Sequence, residues 1–100
     1  MEDYKALIVK PEDNVATALE AIPANKDAVV SCQGRVSTIT VLDSIEFGHK
    51  FATSFIAKGS DIRKYGEVIG RASQDIDIGA HLHTHNIEGT RGRGDQVGKE

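Results

Sequence analysis

Apolar residues along this chain come in short bursts, and polar residues or glycines interrupt every one. Residues 4–9 (YKALIV) are β-competent and stop at Lys10-Pro11, where proline withdraws a backbone donor, so they predict a first strand. Val15, Ala18, Leu19 and Ile22 then recur at helical spacing behind a capping Asp13 or Asn14. They predict one short helix, closed by Pro23. Residues 27–33 (DAVVSCQ) and 35–42 (RVSTITVL) are β-branched runs hinged on Gly34, a hairpin pattern. Asp43-Ser44 marks a turn, and residues 45–60 declare no secondary structure. From Asp61 onward short apolar pairs are punctuated by Gly66, Gly70 and Gly79, which predicts many short, bent strands. No internal repeat or coiled-coil heptad stands out, and the Gly-x-Gly around Arg93 lacks the strand before and helix after that a dinucleotide fingerprint needs. The expected class is mainly β with one short helix.

One hundred residues make one domain with one modest core, and 5% aromatic content with no Trp means packing by small aliphatics. The domain is expected over residues 1–88. Residues 89–100, glycine-rich and charged with almost no apolar side chain, read as a flexible tail.

Charge changes the picture only mildly. Residues 2–46 hold eight acidic and four basic side chains, whereas residues 48–94 hold seven basic and five acidic. A slightly cationic second half suits a small anionic ligand and is too sparse for a nucleic-acid backbone. The lone Cys32 excludes an intramolecular disulfide and reads as a small buried hydrophobe. No apolar run approaches a membrane span and no leader pattern is visible, so the expectation is a cytoplasmic protein without a membrane partner.

Candidate chemistry concentrates in residues 80–86, AHLHTHN. On a strand, His81, His83 and His85 would share one face, and neighbours on that face stand about 6.5–7 Å apart, close enough to converge on one ion or one substrate. The same spacing also fits a solvated, histidine-rich strand edge.

With these residues in view, the chain resembles a known family. GHKFA (48–52), IAKGSDIRKYGEVIG (56–70), DIDIGAHLHTHN (75–86) and RGRGD (91–95) are similar, in that order, to the amino-terminal SAF-type domain of the altronate and galactarate dehydratase family, with residues 5–95 covered. The resemblance implies a β-clip fold and the small subunit of a two-chain lyase, beside a large lyase subunit. The implied reaction is metal-assisted β-elimination of water or sulfite from a small anionic hydroxy acid, with iron or manganese as the divalent ion. Carried over by position, His83 and His85 become metal ligands or acid–base groups and His49 a further catalytic residue. Lys50, Lys64 and Asn86 become substrate contacts, Lys64-Tyr65-Gly66 a pocket wall or a simple turn, and His81 peripheral. The RGRGD tail is either solvated or a docking arm, and self-association stays open. The competing class is a non-catalytic SAF-type module that binds a carbohydrate or peptide.

Overall fold

A computed structural model describes residues 4–89. Nine short strands form two sheets: β1 (Tyr4–Leu7), β2 (Val15–Ala18), β3 (Asp27–Cys32), β4 (Arg35–Thr40), β5 (Lys50–Ala52), β6 (Asp61–Lys64), β7 (Glu67–Ala72), β8 (His81–Leu82) and β9 (Ile87–Glu88). The larger sheet runs β4-β3-β1-β2-β5-β8 and the smaller β6-β7-β9. β1 and β3 pair in parallel, and every other pairing is antiparallel. The tail with Arg91, Arg93 and Asp95 lies outside the described residues.

The mainly β class holds, with one correction: no helix is present among the described residues, and the segment expected to be helical is β2. Its helical spacing is overridden by tertiary position, because β2 lies between β1 and β5 and is covered on both faces. Ala16 and Ala18 enter one apolar cluster and Val15 the other, while Leu19, assigned to the helix's apolar face, is 48% exposed. The caps expected for that helix do accept backbone N–H groups, but ones outside the segment they precede. Buried Asp13 takes those of Tyr65 and Gly66 at 2.9 and 2.8 Å, and Asn14 takes that of Arg63 at 2.8 Å.

The hairpin expectation holds. β3 and β4 pair along their whole length through Gln33-Gly34, both at positive φ as a two-residue primed turn requires. Tyr65-Gly66 closes β6 and β7 in the same way, so Lys64-Tyr65-Gly66 builds a turn.

A second correction concerns repetition. An eleven-residue unit occurs four times, beginning at Ala18, Val41, Ala52 and Ala72. Its fifth residue is Ile22, Ile45, Ile56 or Ile76, its eighth is Asn25, Gly48, Gly59 or Gly79, and its eleventh is Ala28, Phe51, Ile62 or Leu82. The first, fifth and eleventh positions are all buried, and the eighth always has positive φ, from 69° to 88°. That φ belongs to a four-residue turn closed by the N–H of His49 to Glu46 O at 2.9 Å, with counterparts at Lys26, Ser60 and Ala80.

The units associate in pairs. Ile22 and Ile45 bridge each other, as do Ile56 and Ile76. Asn25 donates to the carbonyl of Val41 and Gly48 to that of Ala18, and the second pair repeats this with Gly59 to Ala72 and Gly79 to Ala52. Each pair encloses its own core: Ala18, Ile22, Ala28, Val41, Ile45 and Phe51 sit in the first, and Ala52, Ile56, Ile62, Ala72, Ile76 and Leu82 in the second. The single core expected from length is therefore divided in two. Each buried isoleucine contributes about 1.5–3 kcal/mol. The halves join where β5 meets β2 and β8, and where Leu42 donates to the carbonyl of Gly79 at 2.8 Å.

Candidate metal centre

That seam carries the histidines. His49 and Lys50 occupy positions nine and ten of the second unit, and His81 occupies position ten of the fourth. The antiparallel pairing of β5 with β8 sets Phe51 opposite His81 and so brings His49 alongside it. His49 Nδ1 and His81 Nε2 are 3.0 Å apart. The rings of His49, His81 and His83 stack on one another, with centroid separations of 5.1–5.6 Å and interplanar angles of 11–14°. One ligand atom from each of the three lies within 4.8 Å of the other two.

This arrangement differs from a single strand face. β8 ends at Leu82, and residues 83–86 form a turn closed by the N–H of Asn86 to His83 O at 3.0 Å. Alternation therefore stops before His85. The ring of His85 is tilted 39° against that of His81 at 5.8 Å, and His85 is not in the close donor set. His81, placed at the periphery by the resemblance, lies in the middle of the cluster.

The electrostatics suit nitrogen donors. Burial, reinforced by the neighbouring His49, His83 and His85 and opposed by Asp43, holds His81 below the ordinary imidazole pKa and favours its neutral form. The other ring nitrogen of His49, Nε2, faces Glu46 Oε1 at 3.6 Å, the disposition of an outer carboxylate behind a ligating histidine. His49 Nδ1 and His81 Nε2 are at hydrogen-bond distance, one ring donating to the other, and an ion held by the three imidazoles would take the place of that shared proton. The residues present thus fit a divalent metal.

Beside the cluster lies a shallow cleft of about 330 Å³ lined by Lys50, Ile69, His83, Thr84, Ile87 and Gly89. Lys50 is half-buried, and burial followed by the charge of Lys64 lowers its pKa. Lys64 does not line the cleft. Its ammonium sits 4.8 Å over the ring of Tyr65, and it reaches the cleft only through its field on Lys50. Asn86, expected as a substrate contact, is 4% exposed and turns inward, with both ends of its carboxamide bonded to backbone. Cys32 is only part-buried and lines a separate surface cleft with Pro11, Gln33 and Arg35. Sequence reasoning gave Thr84 and Glu46 no role. Thr84 stands between two of the predicted histidines, and Glu46 is three residues before His49.

The fold and site together define a small β-clip-like module, built from paired turn units, that gathers imidazoles at its seam. Residues 4–90 match the SAF-domain model of altronate/galactarate dehydratase, so the chain belongs to that family. It is 43% identical over 74 residues to altronate dehydratase of Escherichia coli and 44% identical over 80 residues to that of Bacillus subtilis. Those alignments cover 74% and 80% of this chain but 14% and 15% of the two enzymes, so the chain spans about one seventh of their length. It is also 35% identical over 63 residues to (2R)-sulfolactate sulfo-lyase subunit alpha of Paracoccus pantotrophus, covering 63% of this chain and 94% of that subunit. Among the described residues, no helix is long and apolar enough to cross a membrane.

Proposed function

We propose that this chain is the small component of a cytoplasmic two-chain lyase. In this reading it supplies imidazole ligands and a cationic cleft to an active site that a larger chain completes. The convergence of His49 from the second unit with His81 of the fourth and His83 just beyond it carries the reading. The relatives support it, since altronate dehydratase contains a similar segment within a much longer chain and the sulfo-lyase relative is itself a subunit.

His49, His81 and His83 would hold the ion, a set that includes His83 but not His85 from the pair predicted as ligands. An all-imidazole set favours iron over manganese, whose preference is for oxygen. When bound, the ion supplies Lewis-acid stabilisation of charge developing on the oxygens of a hydroxy acid. Lys50 attracts the substrate carboxylate, and its partial burial strengthens that attraction relative to an exposed lysine. Lys64 adds positive potential behind it. His85, exposed and outside the ligand set, is free to accept the proton lost from the carbon beside the carboxylate.

The test is reconstitution. The purified chain is mixed with a large lyase chain and Fe²⁺ or Mn²⁺, and elimination from altronate, galactarate and (2R)-sulfolactate is assayed. His81→Ala and His83→Ala are each expected to reduce activity by about 100-fold or more, in line with the loss of a metal-held group. Full activity in both variants would end the proposal. Metal-independent binding of a sugar acid by the isolated chain, without turnover in any mixture, would instead indicate the carbohydrate-binding module.

A further inference from the structure

We propose that Asn86 is the positioning residue of the imidazole cluster, a buried carboxamide that fixes His81 and His83 on either side of Leu82 without touching substrate. The inference rests on the assignment of that cluster as the metal-holding site.

Asn86 is 4% exposed, although the rest of its turn, His83, Thr84 and His85, is exposed. Its Oδ1 accepts the N–H of His83 at 3.0 Å and its Nδ2 donates to the carbonyl of His81 at 2.9 Å. Its own N–H donates to the carbonyl of His83 at 3.0 Å, and its carbonyl accepts the N–H of Ser73 at 3.0 Å, tying the turn to the end of β7. Asp43 Oδ2 accepts the N–H of His81 at 3.0 Å. Side chains therefore hold both main-chain polar groups of His81, and Asn86 grips the peptide groups that lead to both rings.

This task selects asparagine on chemical grounds. One planar group must offer an acceptor to one peptide and a donor to another two residues away. Aspartate would place an acceptor against the carbonyl of His81, and alanine would leave two part-buried backbone groups without their partner. Glutamine carries the same atoms one methylene too far. With Leu82 fully buried beneath, the backbone from His81 to His83 is fixed from both sides. The 5.6 Å relation of the two rings then follows from the backbone. Outer groups that orient ligands typically change metal affinity by about 10- to 100-fold when removed.

Three readouts test this on the full chain. Titration of Fe²⁺ alone under anaerobic conditions should show about 10- to 100-fold weaker binding in Asn86→Asp and Asn86→Ala. At fixed pH, the ring-proton shifts of His81 and His83 that arise from stacking should collapse toward those of free imidazole. In the reconstituted lyase, kcat should fall while KM for the hydroxy acid stays unchanged. Folded variants that keep both wild-type affinity and ring shifts would overturn the proposal, as would a raised KM with unchanged kcat. If neither variant folds, amide exchange in the wild-type chain decides: the His83 N–H should be protected far beyond that of Thr84, and equal exchange would overturn the idea. If the wild-type chain binds no metal, the metal assignment falls by itself, while ring shifts and exchange still judge Asn86.

Discussion

The first and third turn units differ from the second and fourth in chemistry but not in shape. All four bury the same three positions and turn at the same place. At positions nine and ten, however, the first and third units carry Lys26-Asp27 and Ser60-Asp61, whereas the second and fourth carry His49-Lys50 and Ala80-His81. One scaffold thus serves two purposes. The units that carry histidine are those whose following strands, β5 and β8, pair with each other across the seam. Chemistry is placed where the two halves of the molecule meet, because there side chains from the second and fourth units come together without being sealed into either core.

The fourth unit is also bound more tightly to its surroundings than the third, and this difference yields the largest expected effect. Gly59 and Gly79 share a left-handed φ of 88° and 86°, but a Cβ at Gly59 would meet open space, while one at Gly79 would run into the carbonyl of Thr40 and the backbone of Val41 and Leu42. Left-handed backbone alone costs an alanine about 1–2 kcal/mol, and overpacking adds about 1–3 kcal/mol. Gly59→Ala is expected to lose about 1 kcal/mol, and Gly79→Ala about 3 kcal/mol or more, with the seam loosened. Urea denaturation of both variants checks the contrast, and equal losses would show that the fourth unit is not wedged against the end of β4.

A smaller effect separates the halves by pH. Because burial and neighbouring imidazoles lower the pKa of His81 in the folded chain, the unfolded chain binds its proton first as pH falls through the ordinary value of 6.5. The contribution of neutral His81 is fully present above that value and is lost as pH falls toward the depressed folded pKa. In the metal-free chain the thermal midpoint should drop between pH 7.5 and 5.5, and His81→Gln should make the slope shallower. An unchanged slope would mean that His81 is not held neutral by its surroundings.

Much of this architecture was legible in the residues. The β-branched runs around Gly34 specify β3 and β4, and the glycine-punctuated stretch from Asp61 specifies short strands. β2 was not, because its alanines and valine satisfy a helical period and only placement between β1 and β5 makes them a strand. The repeat is masked in the sequence for a physical reason. Of its four landmark positions, only isoleucine is constant, while Gly or Asn meets the positive φ and Ala, Phe, Ile or Leu fills the core. Aligning the units by conformational demand would have revealed it. It would also have set His49 and His81 at neighbouring positions of equivalent units, a relation hidden by 32 residues of separation. His85 entered the predicted ligand pair through the family motif, and the alternation that set it on one face with His81 and His83 stops at Leu82, where the carboxamide of Asn86 closes the chain into a turn.

The smallest expected effect concerns the one unit whose turn lacks glycine. Asn25 holds a φ of 69°, and its N–H donates to the carbonyl of Val41 at 2.8 Å, as the glycines of the other units do to their own partners. Asparagine tolerates this conformation better than other residues with a side chain, so the demand on the first unit is the same and only the means differ. Asn25→Gly relieves a small conformational cost in the folded chain and adds freedom to the unfolded one, and the two nearly cancel. Its stability is expected to stay within about 0.5 kcal/mol of wild type, while Asn25→Ala should lose about 1 kcal/mol by forcing a side chain into left-handed backbone. Chemical denaturation of the pair measures the difference. Were alanine tolerated as well as glycine, the first unit would not share the turn of the other three, and the equivalence of the four units would reduce to their buried positions.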